Sequence, residues 1–245
     1  MFELLSNKKI VVVGEGSGID LAIIQKLPKL GVKLVLAIPS QEKLDQAKEL
    51  ISSEIEVKIL DGLNEVAVNA FFAEVGSFDH LIVTSIGDRN MPRSLLSEMT
   101  TEIAQGDMEK FWRSFFAVRA SLKTLAKDGS ITLTSSASIF KGSKMGGISA
   151  IAAANGAIAS FGRSLALEIA PIRVNIIAPG LFEDSSIWSS QGEEELANLT
   201  KWGTAALPVE HLGQPEEFIQ AILSLITNRY ITGVVFPVEG GVTLI

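Results

Sequence analysis

Gly14, Gly16 and Gly18 fall at alternate positions directly after the β-branched run at 10–13. That spacing suits an anion site, because glycines let the backbone approach a phosphate and the next helix offers it free N–H groups. A carboxylate, Asp61, follows a later apolar stretch. The stretch 130–155, SITLTSSASIFKGSKMGGISAIAAAN, carries Ser136 and Ser138 beside Lys141 and Lys144. A serine after a strand is commonly a cap or turn residue, so alone it argues little. A lysine serves as an acid only where burial or a neighbouring cation tunes it, and loop lysines are usually solvated. Other chemistries are closed off. The chain has no cysteine, one tyrosine (Tyr230) and two histidines, His80 and His211, far apart and without ligand spacing. Thiolate nucleophiles, disulfides and Cys-bound zinc are excluded together.

These residues need elements to hold them. Residues 10–13, 34–38, 55–59, 81–84, 131–134, 173–178 and 234–238 read as strands. Most are apolar on both faces, as buried parallel strands are. Ile19, Ala22, Ile23, Leu27 and Leu30 recur at helical spacing, with Pro28 and Gly31 as stops. Leu44, Ala47, Leu50 and Ile51 mark a second helix, and 64–75 a third. A long helix is expected over 100–126, with Phe111, Phe115, Val118, Leu122 and Leu125 on one stripe. Helices are also expected over 150–169 and from Gln214 onward. Residues 181–212 break the periodicity.

Strands alternating with helices give repeated βαβ units with right-handed crossovers. The expected fold is a single-domain α/β doubly wound parallel sheet, Rossmann-type, of about seven strands in three α/β/α layers. One domain over 1–245 fits the length. The ligand crevice then lies at the carboxyl ends of the strands.

Over essentially the whole chain, the order of these pieces resembles the short-chain dehydrogenase/reductase family. Gly14-Glu15-Gly16-Ser17-Gly18-Ile19 is similar to its TGxxxGIG motif, and RVNIIAPG at 173–180 resembles its RVNxxxPG. Asp61 resembles its adenine-contacting acid. Gly213-Gln214-Pro215-Glu216-Glu217, and Thr232-Gly233 leading to Val238-Glu239-Gly240-Gly241, resemble its C-terminal pattern. The resemblance implies an NADP or NAD cofactor held by Gly14, Ser17, Gly18, Ile19, Ser40, Asp61, Gly87, Asn155, Pro179 and Gly180. Three places depart from the pattern. Asp20 stands at the third glycine, Ile38-Pro39-Ser40 offers neither the acid nor the arginine that would choose between NAD and NADP, and Thr84-Ser85-Ile86-Gly87 keeps only the glycine of NNAG.

Catalysis in the family uses a tyrosine, a lysine four residues later, a serine, and an asparagine on the preceding long helix. Aligned backwards from 163–168 (RSLALE), the tyrosine position falls on Ile151 and the lysine position on Asn155. The serine position is Ser136 or Ser138, and the asparagine position lies near Phe111. Ile151 cannot donate a proton, and Asn155 can bond a ribose hydroxyl but carries no charge. The usual mechanism is therefore not expected. Two functions follow: an oxidoreductase on a carbonyl/alcohol substrate with altered proton handling, or a non-catalytic nucleotide-sensing or structural relative, a pseudoenzyme.

The net charge of −7 disfavours nucleic-acid partners. The N-terminus lacks a basic-then-apolar signal, and no uncharged apolar run reaches the roughly 18–20 residues of a membrane span. A soluble, cytoplasmic protein is expected. The resemblance implies a homodimer or homotetramer built on 100–126 and the helix after 150. It also makes 181–212 a substrate-lid segment, where Phe182, Trp188 and Trp202 either pack the lid or line an apolar surface. Tyr230 and His80 are read as structural residues.

Overall fold

Continuous apolar runs become strands here because both faces of the sheet are covered. In the computed structural model, residues 2–16, 18–47, 51–84, 95–142, 148–183 and 193–245 are described. The strands are β1 (Lys9–Val13), β2 (Lys33–Ile38), β3 (Glu56–Ile59), β4 (Phe78–Val83), β5 (Leu125–Thr134), β6 (Arg173–Pro179) and β7 (Val235–Val238). They form one seven-stranded sheet in the order β3-β2-β1-β4-β5-β6-β7, and every pairing is parallel.

Successive side chains along a strand point to opposite faces. Val11, Val13, Leu81, Val83, Ile131 and Leu133 enter one core with Phe72, Ile158 and Leu165. Ile10, Val12, Leu36 and Ile82 enter the other with Ile23, Phe218 and Ile222. The first core is covered by α3 (Glu65–Val75), α4 (Thr101–Ser121) and α5 (Ile148–Glu168). The second is covered by α1 (Ile19–Lys26) and the last helix, Pro215–Thr227. Two further helices are α2 (Gln41–Ala47) and α6 (Glu193–Ala206), so the last is α7. By length and composition α5 could cross a membrane, but it packs between α4 and β6.

Several local expectations meet a physical reason in the structure. Pro28 cannot continue α1, and the chain passes through a short 3-10 turn to Gly31, which is left-handed at φ 76°. Gln214 and Glu217 cap α7 as a box, the Gln214 N–H donating to the Glu217 carboxylate at 2.8 Å. The long helix is shorter than 100–126. It ends at Ser121, and Leu125 pairs instead with Phe78 at the start of β5. Ile59 is 51% exposed, because β3 is an edge strand with a single neighbour. Tyr230 is not a packing residue. It is 99% exposed, standing on a turn whose N–H is held by the Asn228 side chain.

In the segment 181–212, Phe182 is buried and packs edge-on against Phe218 at 5.7 Å. Trp202 on α6 is 42% exposed. Trp188 lies outside the described residues.

Candidate functional site

The strand order reverses between β1 and β4, so the crevice opens above their carboxyl ends. Gly14 leaves β1 there and Thr84 leaves β4, and the Thr84 N–H donates to the Val13 carbonyl at 2.9 Å. Gly16 and Gly18 take φ of 68° and 59°, which a side chain would strain. Asp20, in the first turn of α1, is buried beneath this turn. Its carboxylate accepts from the Glu15 N–H at 2.7 Å and the Gly16 N–H at 3.1 Å. Ile19 opens the helix beside it. Ser17 and Gly87 lie outside the described residues.

At the end of β2, the Ser40 hydroxyl accepts from the Lys43 N–H at 3.3 Å and so starts α2. After β3, Asp61 accepts from the Leu63 N–H at 3.0 Å while its side chain stays 62% exposed. Arg113 of α4 approaches it at 4.0 Å and also pairs with Glu109 at 3.2 Å.

The end of β5, α4 and α5 meet at one polar knot. Asn155 is buried on α5. Its carboxamide N–H donates to the Ile151 carbonyl at 2.9 Å. Its carboxamide oxygen accepts from the Lys110 ammonium of α4 at 2.7 Å. Lys110 also donates to the Ser135 carbonyl at 3.0 Å. The Ser135 hydroxyl closes the circuit by donating to the Asn155 carbonyl at 2.9 Å. Lys110 and Ser135 complete this knot, and sequence reasoning singled out neither of them. The signal was present, since Lys110 immediately precedes Phe111, where alignment had placed the asparagine. The Phe111 ring turns to an aromatic cluster with Trp112 and Phe161 instead.

Ser136 caps a 3-10 turn, accepting from the Ser138 N–H at 3.3 Å. The Ser138 hydroxyl is buried and has no hydrogen-bond partner among the described residues. Lys141 is exposed on the following loop, and Lys144 lies outside the described residues. Gly180 follows Pro179 at the end of β6, and a Cβ there would meet the Glu239 backbone at 2.7 Å. No cluster of three metal-ligating side chains occurs among the described residues.

A family model for "Enoyl-(Acyl carrier protein) reductase" matches residues 13–243. The chain belongs to the short-chain dehydrogenase/reductase family. It is 30% identical to 3-oxoacyl-(acyl-carrier-protein) reductase FabG of Chlamydia muridarum, over 98% of this chain and 99% of that protein. Its fold matches a short chain oxidoreductase from Pseudomonas aeruginosa, described as containing an atypical catalytic center, with TM-score 0.84, 27% identity and coverage of 97% and 98%. It also matches a small-chain dehydrogenase in complex with NADPH, with TM-score 0.74, 30% identity and coverage of 97% and 100%.

The crevice of this dehydrogenase-family chain suits the two ends of such a dinucleotide. Asp61 leaves an exposed carboxylate after β3, and the buried Asn155 carboxamide, held by Lys110, lies beside the end of β5. The glycine turn suits the middle in shape, but two of its amides are already bonded to Asp20.

Proposed function

We propose that this protein is an NAD(P)-dependent oxidoreductase acting on a carbonyl/alcohol pair, with proton handling built on Lys110. The carrying observation is the Lys110 ammonium 2.7 Å from the Asn155 carboxamide oxygen. On the resemblance, Asn155 stands at the family's lysine position, and the Lys110 ammonium of α4 supplies a positive charge beside it. A bound nicotinamide dinucleotide supplies or accepts the hydride. The chain's own residues then have to orient the substrate and move a proton. Ile151 has none to give. A carbonyl oxygen that gains negative charge near Lys110 is stabilised by the ammonium and takes a proton from it. Ser136 and Ser138 orient that oxygen by hydrogen bonding. Asn155 is a positioning residue that fixes the ammonium. The NADPH complex of one relative and the atypical centre of another support this reading.

The test is a thermal-shift titration with NADPH and NADH, followed by turnover on a carbonyl panel. A dinucleotide that binds should raise the midpoint by mass action. Lys110→Met should keep that shift and lose turnover by about a hundredfold or more. No shift with either dinucleotide would sink the proposal. A shift without turnover would favour the non-catalytic sensing reading, which Ile151 recommends.

The reading also takes a homodimer or homotetramer joined through α4 and α5, and the cytoplasm as its compartment. Phe111, Trp112, Phe115 and Phe116 form a ladder of rings along α4, and Trp112 is 46% exposed. On α5 a side chain at Gly156 would meet open space, which suits a close helix approach.

A further inference from the structure

We infer that Asp20 is an internal anion of the dinucleotide site, which shapes the glycine turn and limits how tightly a pyrophosphate binds over it. The inference rests on reading the crevice as a dinucleotide site.

Three observations carry it. The Asp20 carboxylate takes the Glu15 and Gly16 amides, at 2.7 and 3.1 Å, so turn N–H groups are satisfied from within. Its side chain is wedged between the ends of β1 and β4. A Cβ at Gly14 would lie 2.3 Å from its Oδ2 and 2.3 Å from the Thr84 hydroxyl, so only glycine at 14 leaves it room. It is 2% exposed, so water screens its charge poorly. The N-terminus of a helix favours an anion, and here the chain brings its own within the first turn of α1. A pyrophosphate arriving at the same turn meets a helix end already compensated and a like charge beneath it. A like charge held close to it, in a place that water screens poorly, costs roughly tenfold or more in affinity.

The test uses the full chain and three probes: NADPH, ADP-ribose and adenosine, each titrated by calorimetry. Asp20→Asn keeps the shape and one acceptor oxygen while removing the charge, and Asp20→Gly removes the side chain. Both variants should bind NADPH and ADP-ribose about tenfold or more tighter than the natural chain. Adenosine, which carries no phosphate, should bind all three equally. Thermal midpoints report folding, and if Asp20→Gly does not fold, Asp20→Asn alone decides. Tighter binding by the variants supports the inference even when the natural chain binds no dinucleotide, a result that would sink the proposed function by itself. Equal or weaker binding by the variants, a parallel change in adenosine affinity, or no binding by any of them overturns the inference. In the first of these three cases the oxidoreductase reading stands whenever the natural chain binds.

Discussion

Lys110 on α4 donates to Asn155 on α5 across 2.7 Å, and the Asn155 backbone carbonyl accepts in turn from Ser135 at the end of β5. One ammonium and one carboxamide thus tie two helices to the end of β5, next to Ser136 and Ser138. The bond is partly buried, where a lost partner is expensive because water cannot replace it. Asn155→Leu removes the acceptor and leaves the ammonium with the Ser135 carbonyl. We expect about 2 kcal/mol of destabilisation in denaturant unfolding. Lys110→Met in the Asn155→Leu background should cost less than it does alone, with a coupling of about 1–2 kcal/mol. Strict additivity in that double-mutant cycle would mean that the two side chains contribute independently.

The aromatic ladder on α4 leads to a second expectation. Trp112 and Phe116 stack at 6.0 Å, Phe115 stands edge-on to both, and Arg119 lies over the rings of Phe115 and Phe116. Buried aromatics near an interface centre commonly dominate its energy. Sedimentation velocity should show a dimer or tetramer for the natural chain. Trp112→Glu places a charge in the contact and should weaken association about thirtyfold or more. A natural chain that sediments as a monomer at tens of micromolar would refute the α4–α5 interface.

The fold was legible because periodicity is a backbone property written in every turn. Strand and helix patterns fixed the layers, and their alternation fixed the parallel sheet. The motif RVNIIAPG was legible too, although its physical content lies in the fold and not in the chemistry. The Arg173 guanidinium donates to the carbonyls of Leu225, Ile226, Asn228 and Ile231, closing the end of α7. Asn175 is fully buried, donating to the Ile231 carbonyl and accepting from the Val234 N–H. These two residues lock β6 to the β7 connection. The polar knot was less legible. Alignment compares position with position, whereas Lys110 and Asn155 are 45 residues apart and meet only in three dimensions. The resemblance put the asparagine position near Phe111, and its neighbour Lys110 was not singled out. The register of β5 was also hidden, because 125–129 lacks the apolar run that announces a strand and is recruited by pairing with Phe78.

His80 gives the chain a dependence on acid. Its ring is buried in β4, with Nδ1 2.9 Å from the Ser130 hydroxyl, at the edge of the stretch that leads to the site. Burial pushes its pKa down from 6.5 to about 4. Unfolding returns the ring to water, where it binds a proton more readily. The unfolded chain therefore takes up more protons between pH 6.5 and 4. The contribution of the neutral ring is full above pH 6.5, is lost progressively as the pH falls to about 4, and changes no further below that. The loss from this residue should reach about 3 kcal/mol. Chemical denaturation at pH 7.5, 6, 5 and 4, compared with His80→Gln, isolates it, since the carboxylates other than the neighbouring Asp79 titrate alike in both chains. The natural chain should lose stability faster than the variant across that window. Parallel curves would show that His80 is protonated as easily folded as unfolded, and the buried neutral ring would have to be abandoned.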